Sequence, residues 1–376
     1  VDKKVDVAIV GAGIVGLAHA YMALRKGLKV VLFEREQFAV GASVRNFGLV
    51  WPIGQEPGIG LERALKARQH WLEVAEQAGF WINTNGSLHL AYHQDELDVL
   101  QEFMAFYKDA PYQCALITAA EAKKKSVVLK EEGLKGALWS STEGTVYARE
   151  AIRRIPLWLQ ERFGLVLKFG QVVKEIDGSW IRTSRESWQA EHVFVCSGAD
   201  FETLYPEVFD AQPVTKCKLQ MMKGVTSSHL PLGPTLCAGL TLRHYAAFGK
   251  CPSLAKLDKR YDDETMLFKQ HGIHVLLGQN QAGEFIIGDS HHYSKTVEPF
   301  DEESINQIIL QYLSTFTHLD DIKIIERWHG VYPKVQGNIS LIIKPSANVT
   351  IVNGLGGAGM SLSFGLAEET VGELIG

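Results

Sequence analysis

The sequence predicts an α/β fold, α+β overall, in which a Rossmann-like domain is interleaved with a second domain built on an antiparallel sheet. Three observations predict it. The β-branched run Val5 to Val10 leads into Gly11-Ala12-Gly13-Ile14-Val15-Gly16 and then into helix formers, the strand–glycine turn–helix order of a βαβ opening. From about Gln212 to Ile325 the pattern changes to separated short apolar runs. A second glycine loop, Gly354 to Gly359, then stands before a helical C-terminal segment.

Taken in order, Val5 to Val10 reads as a buried parallel strand, and Ile14 to Lys26 as a helix that Gly27 terminates. Leu28 to Phe33 is a second strand, closing on Glu34. Gly58 to Ala78 has Leu61, Leu65, Trp71 and Leu72 near helical spacing. Ser87 to Tyr92 reads as a strand and Asp95 to Lys108 as a helix; Ala148 to Phe163 is a helix leading to the strand Leu165 to Lys168. Val172 to Ile176 and Ser179 to Thr183 form a hairpin turning at Asp177-Gly178. His192 to Cys196 is a buried strand that delivers Ser197-Gly198. Gly272 to Leu277 and Glu284 to Gly288 read as strands, Ser304 to Phe316 as a helix, Val349 to Val352 as a strand and Ser361 onward as a helix. The expected division is 1–85, 140–211 and 326–376 for the first domain, with 86–139 and 212–325 for the second.

Composition narrows the function. The 376 residues are enough for two domains sharing a cleft, and 46% hydrophobic with 22% charged residues is ordinary for a globular protein. A net charge of −5 argues against nucleic acid, which needs a basic face. No apolar run reaches the length of a membrane span. The first apolar stretch runs straight into the glycine loop rather than into a cleavage site, so no signal peptide is read. Five scattered cysteines (114, 196, 217, 237 and 251) form neither a disulfide framework nor a zinc pattern, which suits a cytoplasmic location.

The opening glycines carry the first chemistry. Gly11 permits the tight turn, Gly13 lets the backbone approach a pyrophosphate, and Gly16 lets the helix pack on the strand. The helix N-terminus then faces the phosphates, and Glu34, 18 residues after Gly16, is placed to accept from a ribose. These features alone leave the dinucleotide open. Gly41-Ala42-Ser43-Val44-Arg45-Asn46-Phe47-Gly48 adds a polar loop that can continue toward a flavin. In Gly354-Leu355-Gly356-Gly357-Ala358-Gly359-Met360, repeated glycines let backbone come close to a flat or charged group. Together the three loops select FAD. The residues expected to line it are Gly11, Gly13, Ile14, Val15, Gly16, Glu34, Arg35, Ser43, Arg45, Asn46, Phe47, Gly48, Val173, Ser197, Gly198, Gly354, Gly356, Gly357, Gly359 and Met360.

With these motifs the whole chain resembles the D-amino-acid-oxidase-like FAD oxidoreductases, in the glycine oxidase and sarcosine oxidase branch. Ser43 to Gln55, His271-Gly272-Ile273-His274-Val275 and Gly288-Asp289-Ser290-His291 are similar to a subgroup associated with catabolism of aminophosphonates such as 2-aminoethylphosphonate. The resemblance implies oxidation of a carbon–nitrogen bond: a neutral amine passes hydride to flavin N5, and the imine hydrolyses. The partners it implies are a small amine and an electron acceptor, either O2 or an electron-transfer partner. No cysteine follows Trp328, so the FAD is expected to be non-covalent.

One departure from the family pattern bears on the substrate. Where the glycine-oxidase-like pattern has Trp-x-Gly-Leu-Arg-Pro, this chain has Trp328-His329-Gly330-Val331-Tyr332-Pro333. Tyr332 stands at the arginine that would pair a substrate carboxylate, and a phenol cannot replace that charge. A phosphonate held elsewhere fits better than a simple α-amino acid. The resemblance makes Tyr332, His329 and His271 the candidates beside the reacting atoms. Arg45, His244, Lys269 and Arg327, with His271, His291 and His329, are the candidates for the anion. Alternation along a strand would put His271 and His274 on opposite faces. The histidine spacings show no metal trio, so no metal is expected. The competing readings are a glycine, sarcosine or D-amino-acid oxidase or dehydrogenase, a 2-hydroxy acid dehydrogenase on the same fold, and a flavin-retaining scaffold without turnover.

Overall fold

Two large sheets meet along one long strand, and the helices of the N- and C-terminal segments cover the first of them. The computed structural model describes residues 3–227 and 230–374; residues 1–2 and 375–376 of the expected first domain, and 228–229 of the second, lie outside the described residues.

The first sheet has a parallel centre. Val166–Phe169, Val30–Glu34, Lys4–Val10, Ser187–Val195 and Val349–Asn353 lie side by side, each parallel to its neighbour. Strands buried on both faces are continuously apolar, which is why Val-Ala-Ile-Val and Val-Val-Leu-Phe read as strands without alternation. The hairpin Val173–Asp177 and Trp180–Thr183 extends one edge, and Leu341–Ser346 adds an antiparallel strand beside Val349–Asn353. One face is covered by the helices Ile14–Arg25, Ile59–Ala78, Ala148–Phe163 and Gly359–Gly372. Tyr21, Trp71, Trp158 and Phe364 pack there. Trp188, Phe33, Val193 and Ile351 fill the other face. Gly79 and Gly164, in left-handed conformation, end two of these helices.

The second sheet runs in the order His292–Ser294, Val214–Val225, Phe285–Gly288, Leu276–Gln279, Thr235–Cys237, Ser87–Ala91, Gly136–Ser140, Cys114–Ile117, and Lys323–Val335 also pairs with Val214–Val225. It is antiparallel except where Thr235–Cys237 runs parallel to Ser87–Ala91. Phe103, Phe248, Phe285 and Phe316 centre its core. Lys323–Val335 carries the sheet toward the first domain, and its Lys334 bridges Leu355 in the C-terminal glycine loop.

One expected strand is shorter than the sequence suggests. Gly272 to Val275 is not strand: a short helix, Leu267–Gln270, precedes it, Gly272 turns the chain at φ +54°, and the strand begins at Leu276. His271 and His274 are therefore separated by a turn and not by strand alternation. No helix among the described residues is long and apolar enough to cross a membrane.

Candidate active site

Two adjoining cavities of about 280 and 310 Å³ form one elongated slot, sharing Ile14, Ser43, Tyr332, Gly354, Gly356 and Gly359 in their walls. The slot runs between the first sheet and the long strand Lys323–Val335. Two helix N-termini open onto it, Ile14–Arg25 and Gly359–Gly372, and in neither does the N-cap residue's own side chain bond the first turn. First turns without an N-cap side chain leave backbone N–H groups beyond the one at Ile14 for a bound anion.

At one end lie Glu34, Arg35, Val173, Ser197 and Gly198, with Gly11, Gly13 and Val15. Gly11 stands at φ +103°, and a Cβ there would run into the Cys196 carbonyl oxygen. Gly16 is outside the slot; a Cβ on it would collide with the Gly11 carbonyl oxygen, so its part is to let helix and strand close. Glu34 Oε2 accepts from Ala12 N–H at 2.9 Å and Ser43 Oγ from Ile14 N–H at 2.9 Å, which ties the turn to both neighbouring segments. Arg35 is held by Asp200. Ser197 lines this end of the slot, and its Oγ is buried with no hydrogen-bond partner among the described residues. A hydroxyl left so is costly unless a ligand completes it. Elongated shape, glycine backbone, two helix N-termini and the Ser197 hydroxyl together fit FAD.

The polar loop splits in role. Ser43, Arg45, Asn46 and Phe47 line the other end, and Asn46 also braces its own turn, donating to Ala42 O at 2.8 Å and accepting from Gly48 N–H at 2.6 Å. Gly48 does not reach either cavity. Its φ of +78° and its packing on the Val146 carbonyl make it a hinge of the loop rather than a cofactor contact. Gly357 and Met360 line this end as well.

Here Trp51, His244, Tyr245, His274, Asp289 and His291 form the far wall. The long strand contributes Gly330, Tyr332 and Lys334, residues two apart that share one face. Tyr332 is 7% exposed, and burial, followed by the neighbouring Cys217 and Tyr293, pushes its hydroxyl well above the usual range. Arg45 Nη1 reaches only the His329 carbonyl oxygen, at 3.4 Å. Neither Arg45 nor Lys334 has a carboxylate partner among the described residues, and the one carboxylate lining this end is Asp289.

Four sequence candidates lie elsewhere. Arg327 and His329 fall on the opposite face of the strand from Tyr332, where Arg327 pairs with Glu303 at 2.9 Å and His329 with Asp301 at 3.0 Å. Lys269 is on the surface with Asp262, at 2.6 Å. His271 caps the short helix, and its ring is not in the cavity wall. The structure brings together Arg45, His244, His291 and Tyr332, and adds Lys334, His274 and Asp289.

The histidines depart furthest from expectation. No metal-like trio is visible in their spacing, yet one ring nitrogen from each of His244, His274 and His291 lies within 4.8 Å of the others. Burial lowers all three pKa values: His274 to about 3, His244 well below its ordinary value, and His291 in the same direction. Burial also raises Asp289, to about 6. Of the three, His244 is the accessible ring, opening onto the cavity, whereas His274 and His291 are buried.

Known proteins share this architecture. Glycine oxidase from Geobacillus kaustophilus superposes with a TM-score of 0.79 at 19% identity, covering 99% of this chain and 95% of that one. L-proline dehydrogenase from P. horikoshii gives 0.78 at 19%, over 100% and 94%. In sequence, the Geobacillus glycine oxidase is 25% identical over 52% of this chain, and the match spans only 55% of that relative's length. One of the opine oxidase subunits, from Agrobacterium tumefaciens, is 21% identical over 90% of this chain and 84% of its own. The family model described as FAD dependent oxidoreductase matches residues 6–372, from the first strand to the C-terminal helix. With glycine turns at both ends shaping one slot, the chain belongs to this family of FAD-dependent oxidoreductases.

Proposed function

We propose that this protein oxidises the carbon–nitrogen bond of a small amine that carries a phosphonate, with 2-aminoethylphosphonate or its N-methyl derivative as the substrate type. The observation that carries the proposal is the pair of cations without carboxylate partners, Arg45 and Lys334, in the wall beside Tyr332. A phosphonate, like a phosphate monoester, holds about −1.5 to −2 charges near neutrality. One guanidinium suffices for a carboxylate; two cations match a dianion. Tyr332 supports the same reading, because it supplies no charge where the related pattern has an arginine.

Bound FAD supplies the hydride acceptor for this chemistry. The chain's own part is to seat the anion on Arg45 and Lys334 and to keep the amine neutral. Both cations disfavour an ammonium ion nearby, so the amine enters with its lone pair free to support loss of hydride from the adjacent carbon. Loss of that hydride and of one proton leaves an imine, which water converts to a carbonyl compound and an amine or ammonia. Trp51, Phe47 and Leu219 make part of the wall apolar, which holds water back until the imine is released.

A second reading, an α-amino acid as substrate, is favoured by the similarity to glycine oxidase and to opine oxidase. Anaerobic bleaching of the flavin by 2-aminoethylphosphonate, its N-methyl derivative, glycine and sarcosine separates the two. The phosphonates should bleach faster than their carboxylate counterparts. Equal or faster bleaching by glycine or sarcosine would overturn the phosphonate reading. Re-admitting air and measuring peroxide then tests whether O2 or an electron-transfer partner takes the electrons.

A further inference from the structure

The three imidazoles in the far wall come from distant parts of the chain. His244 ends the helix Gly239–His244, His274 follows the turn at Gly272, and His291 follows the strand Phe285–Gly288. Their outer nitrogens are not equivalent to those of surface histidines. His291 Nδ1 lies 2.9 Å from the Gly272 carbonyl oxygen, and His274 Nδ1 lies 3.2 Å from Asp289 Oδ1. Carbonyl and carboxylate oxygens only accept, so in each neutral ring Nδ1 carries the hydrogen and Nε2 presents a lone pair; His291 Nε2 lies 3.8 Å from Asp289 Oδ2, beyond hydrogen-bond reach. His274 Nε2 is buried with no partner among the described residues. This is how imidazoles that bind metals are held: the outer N–H donates to a carboxylate or backbone carbonyl, and the inner nitrogen is left to the ion.

We propose that His244, His274 and His291 bind one divalent transition-metal ion, zinc-like in its preference for imidazole, at the substrate end of the cavity, with Asp289 as the positioning residue for His274. Three protein nitrogens leave further coordination positions directed at the cavity, the pattern of a site that takes a ligand. That ligand would be the anionic group of the substrate; this part rests on the phosphonate reading, whereas binding of the ion does not.

Binding requires a definite movement. Zinc–nitrogen bonds of about 2.0–2.1 Å place tetrahedral donors roughly 3.4 Å apart, and the three nitrogens here lie within 4.8 Å of one another. His244 and His274 are also stacked, centroids 4.1 Å apart and planes 6° from parallel. Lone pairs lie in the ring plane, so parallel rings point past one another and not at a shared ion. His244 makes no side-chain hydrogen bond among the described residues and opens onto the cavity. It is the ring that turns, while His274 and His291 stay fixed by their Nδ1 partners.

An anion bound directly by the trio is the competing occupant. It would meet two inward lone pairs unless the rings first took up protons, which their burial opposes.

The test uses the untagged holoenzyme, stripped with chelator and titrated with Co2+ in the absence of any amine. One cobalt per chain is expected, with tetrahedral-type visible bands that Zn2+ displaces. His274→Ala and His291→Ala should abolish the bands while retaining the flavin spectrum, which reports folding. Asp289→Asn should keep the stoichiometry but weaken affinity about 10- to 100-fold. Cobalt and zinc uptake no greater in the wild type than in the histidine variants would overturn the site. So would inorganic phosphate binding to metal-free protein with proton uptake that the same variants abolish. Unchanged affinity in Asp289→Asn would overturn the role of Asp289. A wild type that binds cobalt yet prefers glycine would overturn the substrate reading and leave the metal site standing.

Discussion

Arg45 is tied to its surroundings mainly through its backbone: its carbonyl accepts from Trp328 Nε1 at 3.2 Å, and its guanidinium touches one carbonyl oxygen. Lys334 is similar, with its ammonium 3.5 Å from the Tyr293 hydroxyl. Removing either charge therefore removes ligand contacts without leaving a buried carboxylate unpaired. Hydrogen bonds to charged groups contribute about 1.5–3 kcal/mol, so Arg45→Leu and Lys334→Met should each raise KM for an aminophosphonate by roughly 10- to 100-fold. Steady-state kinetics would check this, and the effect should be smaller on an uncharged amine. An equal loss on charged and uncharged amines would mean that the residues do not hold the anion. At this scale the cofactor end was readable from sequence, because Gly11, Gly16 and Glu34 answer to local backbone demands that leave a fixed spacing. The anion end was readable only in part. Arg327 and His329 adjoin Tyr332 in sequence but face the other way, and recognising that needed the knowledge that this stretch is a strand.

Among the elements, the first helix joins cofactor and core. His19 is fully buried within it, with Nδ1 2.7 Å from the Val15 carbonyl oxygen and Nε2 2.9 Å from Thr370 Oγ1 in the C-terminal helix. Burial lowers its pKa to about 4. The folded value is below the ordinary one near 6.5, so between the two pH values the unfolded chain binds more protons. The stability contributed by neutral His19 is fully present above about pH 6.5. It falls away as the pH drops toward 4, by about 3 kcal/mol in total. Urea midpoints measured across this window should decline less steeply in His19→Gln, which can still bond Thr370 but does not titrate. An unchanged slope in the variant would refute the assignment. The helices themselves were legible, since glycines at 27, 79 and 164 punctuate them. Illegible were the pairings of the second sheet. Val214–Val225 meets Lys323–Val335 across about a hundred residues, and no local pattern encodes which strands find each other. The histidine trio escaped notice for another reason: the pairing of Leu276–Gln279 with Phe285–Gly288 continues past the strand ends to His274 and Asp289, and it is there that His274 and His291 meet His244, which ends a separate short helix.

For the whole molecule, the slot lies between the first sheet and the long strand of the second, and filling it ties the two together. Free FAD a hundredfold above its dissociation constant adds about 2.7 kcal/mol to the folded state. Thermal unfolding of stripped protein should therefore rise by several degrees, logarithmically with FAD concentration. A midpoint indifferent to FAD would show that the slot is not where the cofactor binds.

The strand Lys323–Val335 shifts register near Ile325 and then runs in regular register through Gly330, Tyr332 and Lys334 past the slot to the C-terminal glycine loop. A continuous strand acts as a fixed ruler. The interval between the cofactor end and the proposed anion seat is set in steps of about 3.3 Å per residue. The enzyme would then select substrates by the span between the amine-bearing carbon and the charged group. Lengthening a substrate by one methylene would misplace its reacting carbon instead of opening the molecule to receive it.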